Sequence, residues 1–292
     1  MKITNKYNLP ESLVNYANSD HEYKPNRYSV TELLAPPREI ILNRMFNDYL
    51  EKDVSDEVVA LFGSAFHHIL ELNTPKDDNI KTEYKIEFSV NDFVISGIID
   101  MIDYKNEKIT DYKTSTVSKV QKGDFEEYRK QGLAYALGIF RTENVIVRHL
   151  EFPVFMKDWS KVRASKDSNY PQTPVYMWRY DIQDSDFDYI EDFIKHRLMI
   201  LKIAFTTKLL PICNNEEKWY TGDTFAVYEG KSDSKAKRLF DTKQEAEDYV
   251  ANKLGGKGRV EERKGENIKC NYYCKVCKYC EEVNNNSVRE IH

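Results

Sequence analysis

The sequence predicts a mixed α/β protein: a central mixed sheet flanked by helices, with a small cysteine-rich subdomain at the C-terminal end. Three features carry that expectation. Apolar residues recur at helical spacing over 55–72, 124–140 and 186–205, the pattern turns to alternation between 82 and 113, and four of the five cysteines fall within 270–280. The order helix, antiparallel strands, helix, strand, helix fits a mixed core better than a doubly wound sheet. A chain of 292 residues makes one large domain or two modest ones. The expected division is a core over 1–210, including an N-terminal helical segment, and an appended subdomain over 211–292.

Ser29 with Glu32 forms a capping box that opens a short helix, and the pair Pro36-Pro37 hands over to a helix through Arg44. The helix over 55–72 carries Val58, Val59, Leu61, Phe62, Phe66, Ile69 and Leu70, apolar nearly all round, and is expected to be buried. Tyr84, Ile86, Phe88 and Val90 alternate with polar residues, Asn91-Asp92 turns the chain, and 93–99 resumes as strand. A further strand over 108–113 follows a polar turn at Lys105-Asn106. Residues 124–140 read as a helix, 145–155 as a strand and 186–205 as a long helix. Beyond 211, a strand is expected at 225–228. Thr242 with Glu245 caps a helix that Gly255-Gly256 stops.

Twenty tyrosines and 14 phenylalanines, with 41% hydrophobic residues, supply a core and exclude wholesale disorder. No apolar run approaches the roughly 20 residues of a membrane helix. The opening MKITNKYNLPESL has no signal-peptide pattern, so a cytoplasmic protein is expected. The net charge of −5 does not exclude a polyanionic partner, because carboxylates gathered at one site and cations gathered at another average out.

The stretch GIIDMIDYKNEKITDYKTS, 97–115, concentrates the chemistry. With a two-residue turn at Lys105-Asn106, Tyr104 faces Glu107 and Asp100 faces Asp111. Opposed residues of an antiparallel pair lie roughly 4.5–5.5 Å apart at Cβ, where two like charges are destabilising. Two such carboxylates ask for a cation. Lys113 projects from the same face as Asp111. Carboxylate oxygens suit a hard ion such as Mg²⁺ that completes its shell with water and phosphate oxygens. A lysine beside it can hold the attacking water and offset phosphate charge. The plain alternative is a solvated hairpin.

His67 and Glu71 stand at i and i+4 on one helix face, a ligand pair or a satisfied core histidine, with neighbouring His68 assigned a structural role. Gln131 and Tyr135 form a second i, i+4 pair. Gln131 is suited to orienting Lys113 or a phosphate, and Tyr135 to contacting a DNA backbone.

The ordered set Gly63-x3-His67-x3-Glu71, Gly97-x2-Asp100, Asp111-Tyr112-Lys113 and Gln131-x3-Tyr135 resembles the RecB-like branch of the PD-(D/E)XK nuclease superfamily. SVTELLAPPREI, KWYTGDTFAVYEG and AKRLFDT also look like bacteriophage-encoded exonucleases of that branch. The resemblance implies the restriction-endonuclease-like core and Mg²⁺- or Mn²⁺-dependent hydrolysis of DNA. It implies His67, Asp100, Asp111 and the Tyr112 carbonyl as metal ligands, and Lys113 as the catalytic lysine. Gln131 and Tyr135 are accessory, Glu71 belongs to the catalytic set, and Glu83 stands behind the ligands. The partner is DNA, single- or double-stranded and cut from linear ends, in phage recombination, replication or end processing. A phage recombinase or single-strand-binding protein is a further partner, and the compartment is the bacterial host cytoplasm. A structure-specific endonuclease, a catalytically silent DNA-binding protein of the same fold and a redox iron–sulfur protein are the alternatives.

Cys274-x2-Cys277-x2-Cys280 has the spacing by which ferredoxins give three thiolates to one [4Fe–4S] cluster, with Cys270 or Cys213 as fourth ligand. An equally close set is Cys213, Cys270, Cys274 and Cys280, leaving Cys277 free. Nucleases of the AddB and CRISPR-associated kinds staple their C-terminus with such a cluster, although here no cysteine precedes the His67 motif and the spacing differs. Structural Zn²⁺ is the rival, and unliganded thiols are the third case. Lys231, Lys235, Lys237, Arg238, Lys253, Lys257, Arg259, Arg263 and Lys264 form a basic stretch that is either a solvated surface or a phosphate contact. Trp159, Trp178 and Trp219 are packing residues by default and base-stacking platforms otherwise.

Overall fold

The computed structural model describes residues 1–18, 23–230 and 235–283. The chain divides into two compact units, Met1–Pro211 and Ile212–His292.

In the first unit, β1 (Lys2–Thr4) precedes α1 (Glu11–Ala17), β2 (Arg27–Ser29), α2 (Val30–Leu34), α3 (Pro37–Phe46), β3 (Glu51–Asp53) and α4 (Val58–Leu72). The Ser29 side chain accepts from Glu32 N–H at 3.0 Å, and the proline pair starts α3. Then come β4 (Ile80–Val90), β5 (Phe93–Asp103), β6 (Lys108–Thr110) and β7 (Lys113–Ser115). They are followed by α5 (Val117–Lys122), α6 (Glu126–Glu143), β8 (His149–Met156), α7 (Lys161–Ala164), β9 (Val175–Asp181) and α8 (Asp184–Thr207). The expected strand over 145–155 therefore starts only at His149.

Seven strands make one mixed sheet. β5 is antiparallel to β4 and β6 and parallel to β2, while β8 is parallel to β6 and β7 and antiparallel to β9. Helices α6 and α8 pack together, and their buried residues share one core with the sheet's Ile86, Phe88, Ile95, Ile99, Ile109, Leu150 and Phe152. No helix among the described residues is long and apolar enough to cross a membrane.

Two expectations are corrected here. Helix α4 is not buried: Val59 and Phe62 are each 58% exposed, and Phe66, Ile69 and Leu72 are exposed as well. An apolar period identifies a helix but not which of its faces meets a neighbour. Only the side bearing Gly63, His67 and Leu70 turns inward. The strand over 108–113 is also interrupted. β6 and β7 keep one register along β8, Lys108 to His149 and Lys113 to Val154, but the chain leaves β5 after Thr110.

Beside the sheet, β1 and β3 form a parallel pair. The Asp53 carboxylate there accepts from Lys6 N–H (2.9 Å), Ser55 N–H and Oγ, and Thr4 Oγ1. These donors, the Lys6 N–H foremost, hold its carboxyl well below the usual carboxylate range. A folded pKa below the unfolded one gives stability that is present above the unfolded value, about 4, and lost as pH falls through the folded value. Asp53→Asn is thus expected to lower Tm by a few degrees at pH 7. The difference from the parent should shrink as thermal melts are taken below pH 4.

In the second unit, β10 (Thr224–Tyr228) lies between β11 (Arg238–Phe240) and β12 (Arg259–Arg263), all antiparallel, with α9 (Lys243–Lys253) packed on them. Thr242 Oγ1 accepts from Glu245 N–H, and Gly255 and Gly256 take the positive φ that ends α9. Backbone bonds from Thr221 N–H to Glu266 and from Lys269 N–H to Lys218 bring the Cys213 side of this unit to the chain that carries Cys270.

Candidate active site

The interruption between β6 and β7 builds the site. Where the chain departs from β5, the Asp111 N–H bonds to Glu151 of β8, and the Tyr112 N–H turns to Asp100 Oδ2 at 2.7 Å. The hairpin register is the one the turn at Lys105-Asn106 dictates, with Met101 opposite Thr110 and Ile102 opposite Ile109. The ladder stops one pair short of Asp100 and Asp111. Asp100 thus caps a backbone amide with one oxygen and offers the other to His67, whose Nδ1 lies 3.2 Å away.

Glu83 completes this group. It sits in β4 in the register position across from Asp100, between the pairs Thr82–Met101 and Tyr84–Ile99, with φ +47. That left-handed conformation in mid-strand is unfavourable for a residue with a Cβ. The outcome is that donor atoms of His67, Glu83 and Asp100 all lie within 4.8 Å of one another. Nitrogen and carboxylate oxygens at that spacing form a fitting cradle for one hard divalent ion. Burial and the nearby Asp100 and Glu71 charges push the Glu83 carboxyl up. The hydrogen bond to Asp100 pushes the His67 imidazole up, against its own burial. A cation bound among them relieves the same crowding of negative charge.

Asp111 does not join that group. It is 2% exposed, with Lys113 Nζ at 2.5 Å from Oδ2 and Gln131 Nε2 donating to Oδ1 at 3.3 Å. Burial pushes its carboxyl up, opposed by the Lys113 ammonium. The cation called for by the two opposed acids is, on the Asp111 side, the chain's own lysine. Lys113 also donates to Gln131 Oε1 at 2.8 Å, so Gln131 bridges both partners of the pair. Tyr112 gives its N–H to Asp100 and sets its ring edge-on to His67.

Tyr135 is corrected from a DNA contact to a packing residue. It is 3% exposed, its hydroxyl accepts from Gln131 Nε2 at 2.9 Å, and its ring lies against Gly97. A Cβ at Gly97 would stand 2.6 Å from Tyr135 Cε1, which is why glycine belongs there. Glu71 takes His68, 3.5 Å away, and stays outside the metal-sized group; His68 is itself exposed rather than structural. The sequence places Glu83 only behind the ligands, since β4 alternation alone gives no sign of a reversed φ; its carboxylate lies in the metal-sized group itself.

Two variants isolate the strained residue. Glu83→Ala and Glu83→Gly both remove the carboxylate, but only glycine accepts the positive φ. The glycine variant is expected to be the more stable by about 1–2 kcal/mol in urea unfolding, with metal binding weakened equally in both.

In the second unit none of the five cysteines forms a disulfide. Burial pushes the Cys213 thiol up to about 12, and the nearby Glu217 and Glu282 carboxylates push the same way. Among the described residues no three of the sulfurs share the 4.8 Å spacing found at His67. Tetrahedral zinc needs thiolates about 3.8 Å apart, from Zn–S of about 2.3 Å. Three cations of the basic stretch are ion-paired: Arg259 with Glu261 (2.8 Å), Lys264 with Asp223 (3.0 Å) and Lys237 with Glu229. Lys231 lies outside the described residues. Trp159 donates to Pro171 O, Trp178 stacks within the core on Phe125, and Trp219, 51% exposed, sets its ring against Tyr273 at 5.2 Å with Lys269 Nζ over it at 5.6 Å.

No protein-family model matches the chain, and no curated protein matches it in sequence. Solved structures give low-level likenesses. The crystal structure of SSO0001 is 16% identical, over 65% of this chain and 82% of that one, with a TM-score of 0.45. An alkaline exonuclease from Laribacter hongkongensis is 12% identical, over 63% and 92%, with a TM-score of 0.37. A phage-related exonuclease from Haemophilus somnus 129PT is 10% identical, over 68% and 81%, with a TM-score of 0.31. At these values the functional argument stays with the chain's own side chains.

Proposed function

We propose that the protein is a divalent-metal-dependent deoxyribonuclease of the PD-(D/E)XK kind, acting on linear DNA as an exonuclease. One observation carries this: beside the gap left where β6 parts from β5, a metal-sized group of His67, Glu83 and Asp100 adjoins a lysine tied to a buried acid. A Mg²⁺ or Mn²⁺ ion held by that group would polarise a phosphate oxygen and lower the pKa of a water. Asp111 and Gln131 hold the Lys113 ammonium in place. From there it orients the attacking water and offsets the charge that builds on the phosphate as the leaving oxygen departs. Asp100 keeps the Tyr112 backbone folded toward the same spot.

The test is cleavage of end-labelled linear DNA against closed circular DNA, with Mg²⁺, Mn²⁺ or EDTA. Metal-dependent loss of the linear substrate alone supports the exonuclease. Nicking of the circle supports the endonuclease, and salt-sensitive binding without cutting supports the silent DNA-binding protein.

For the cysteine unit, a [4Fe–4S] cluster remains the proposal. Its ligands would be Cys274, Cys277 and Cys280 with Cys270 or Cys213, or Cys213, Cys270, Cys274 and Cys280, and the backbone bonds that join Lys218 to Lys269 and Thr221 to Glu266 bring the Cys213 and Cys270 segments together. Its role would be structural. Brown, anaerobically purified protein with iron and acid-labile sulfide supports it; colourless protein containing zinc refutes it.

A further inference from the structure

Residues 157–174, between β8 and β9, form a long connection carrying only the short α7, yet they are tightly built. Trp159 Nε1 donates to Pro171 O at 2.7 Å, Tyr170 OH accepts from Ser160 N–H at 2.9 Å, and Gln172 Nε2 donates to Tyr170 O at 2.6 Å. Val117, Met156 and Tyr170 make a small apolar core of their own under this loop, with Trp159, Val120 and Ala164 packed on it. A long, ordered loop of this kind in a compact unit is characteristically functional.

Its outer surface is cationic. Lys157, Lys161, Arg163 and Lys166 are exposed, as is Lys122 at the end of α5, and none of the five makes a salt bridge among the described residues. The acids nearby have other duties. Asp158 accepts from Val117 N–H at 2.8 Å, Asp167 from Asn169 N–H at 2.9 Å, and Asp124 faces Lys119. In the second unit, by contrast, Lys237, Arg259 and Lys264 of the basic stretch are ion-paired.

The loop also starts next to the chemistry. Lys157 N–H bonds to Ser115 O at 2.9 Å, at the end of the short strand that begins with Lys113. Two residues of strand span about 7 Å. Lys113 and Lys119 each lie 5.5 Å from the centroid of the Tyr128 ring, which links the site to α5.

We propose that the 157–174 loop, with α5, is the phosphate-gripping surface that holds the DNA backbone beside Lys113. The choice of DNA as the polyanion rests on the nuclease reading; the surface itself rests on the unpaired cations. The test measures DNA binding in EDTA, where nothing is cut, as a function of salt. It compares the parent with Lys157→Gln/Lys161→Gln/Arg163→Gln/Lys166→Gln and with a control lacking four cations elsewhere, Lys81→Gln/Lys85→Gln/Lys195→Gln/Lys202→Gln. Losing four phosphate contacts lowers the slope of log K against log salt by about 3. That drop is expected in the loop variant alone, and a Lys161→Gln/Arg163→Gln pair should show about half of it should the quadruple variant fold poorly. Equal slopes in parent and loop variant, or an equal drop in the control, overturn the proposal. Should the parent cut nothing with Mg²⁺ or Mn²⁺ while the loop variant still loses slope, the nuclease reading falls and the surface stands.

Discussion

Asp100→Asn is expected to lower metal-dependent DNA cleavage by about a thousandfold, with little change in Tm. The asparagine keeps the size of the side chain, and its carbonyl oxygen can still accept the Tyr112 N–H, so the bend after Thr110 survives. What changes is the other position, 3.2 Å from His67 in the parent. An amide NH₂ there replaces an anionic ligand with a donor that repels both the imidazole N–H and a cation. Hard divalent ions depend on carboxylate charge for affinity. Loss of a group that stabilises developing charge costs on the order of a hundred- to a thousandfold in rate, and the weakened metal site adds to that. The readouts are cleavage rate against Mg²⁺ or Mn²⁺ concentration and a thermal melt. Near-parental cleavage at ordinary Mg²⁺ would remove Asp100 from the metal site and with it the central claim.

Lys113→Met should be as severe in activity, and unlike Asp100→Asn it should also cost stability. The ammonium is the principal counter-charge of a fully buried carboxylate. Removing one partner of a buried pair costs roughly 3–5 kcal/mol, and because Lys113 keeps part of its side chain in solvent the lower end is expected. The pH dependence has a definite sign. Burial already pushes Asp111 up against the opposition of Lys113; without the lysine the folded-state pKa rises further. A carboxyl whose folded pKa is raised is most favourable below its unfolded value, and its contribution is lost as pH rises through the folded value. The stability deficit of Lys113→Met should therefore be small near pH 4 and grow toward neutrality. In the double variant Asp111→Asn/Lys113→Met most of the stability should return, because no buried charge is left, while cleavage stays absent. A double variant that regained cleavage would show that Lys113 acts only by holding the fold.

Local chemistry decided a good part of this protein, and it was readable. The turn at Asn91-Asp92, the β5–β6 register, the Ser29 and Thr242 caps and the glycine stop after α9 each depend on residues two to four positions apart. The closeness of Asp111 and Lys113, two residues apart, was readable as well, although the strand expected to hold both is interrupted at Asp111 and Tyr112. Tertiary structure decided what depends on partners distant in sequence. β8 draws the chain away from β5 after Thr110, which frees Asp100 to cap Tyr112 and stops the two acids short of a direct pair. Register across two strands sets Glu83, left-handed in mid-strand, opposite Asp100. Packing of Tyr135 onto Gly97 turns an apparent DNA contact into core. The apolar face of α4 stays outside because nothing in its own period says where the sheet will be. Hydrogen-bond and side-chain periodicities are properties of a segment, whereas burial and ligand geometry belong to the neighbours that the whole chain brings to it.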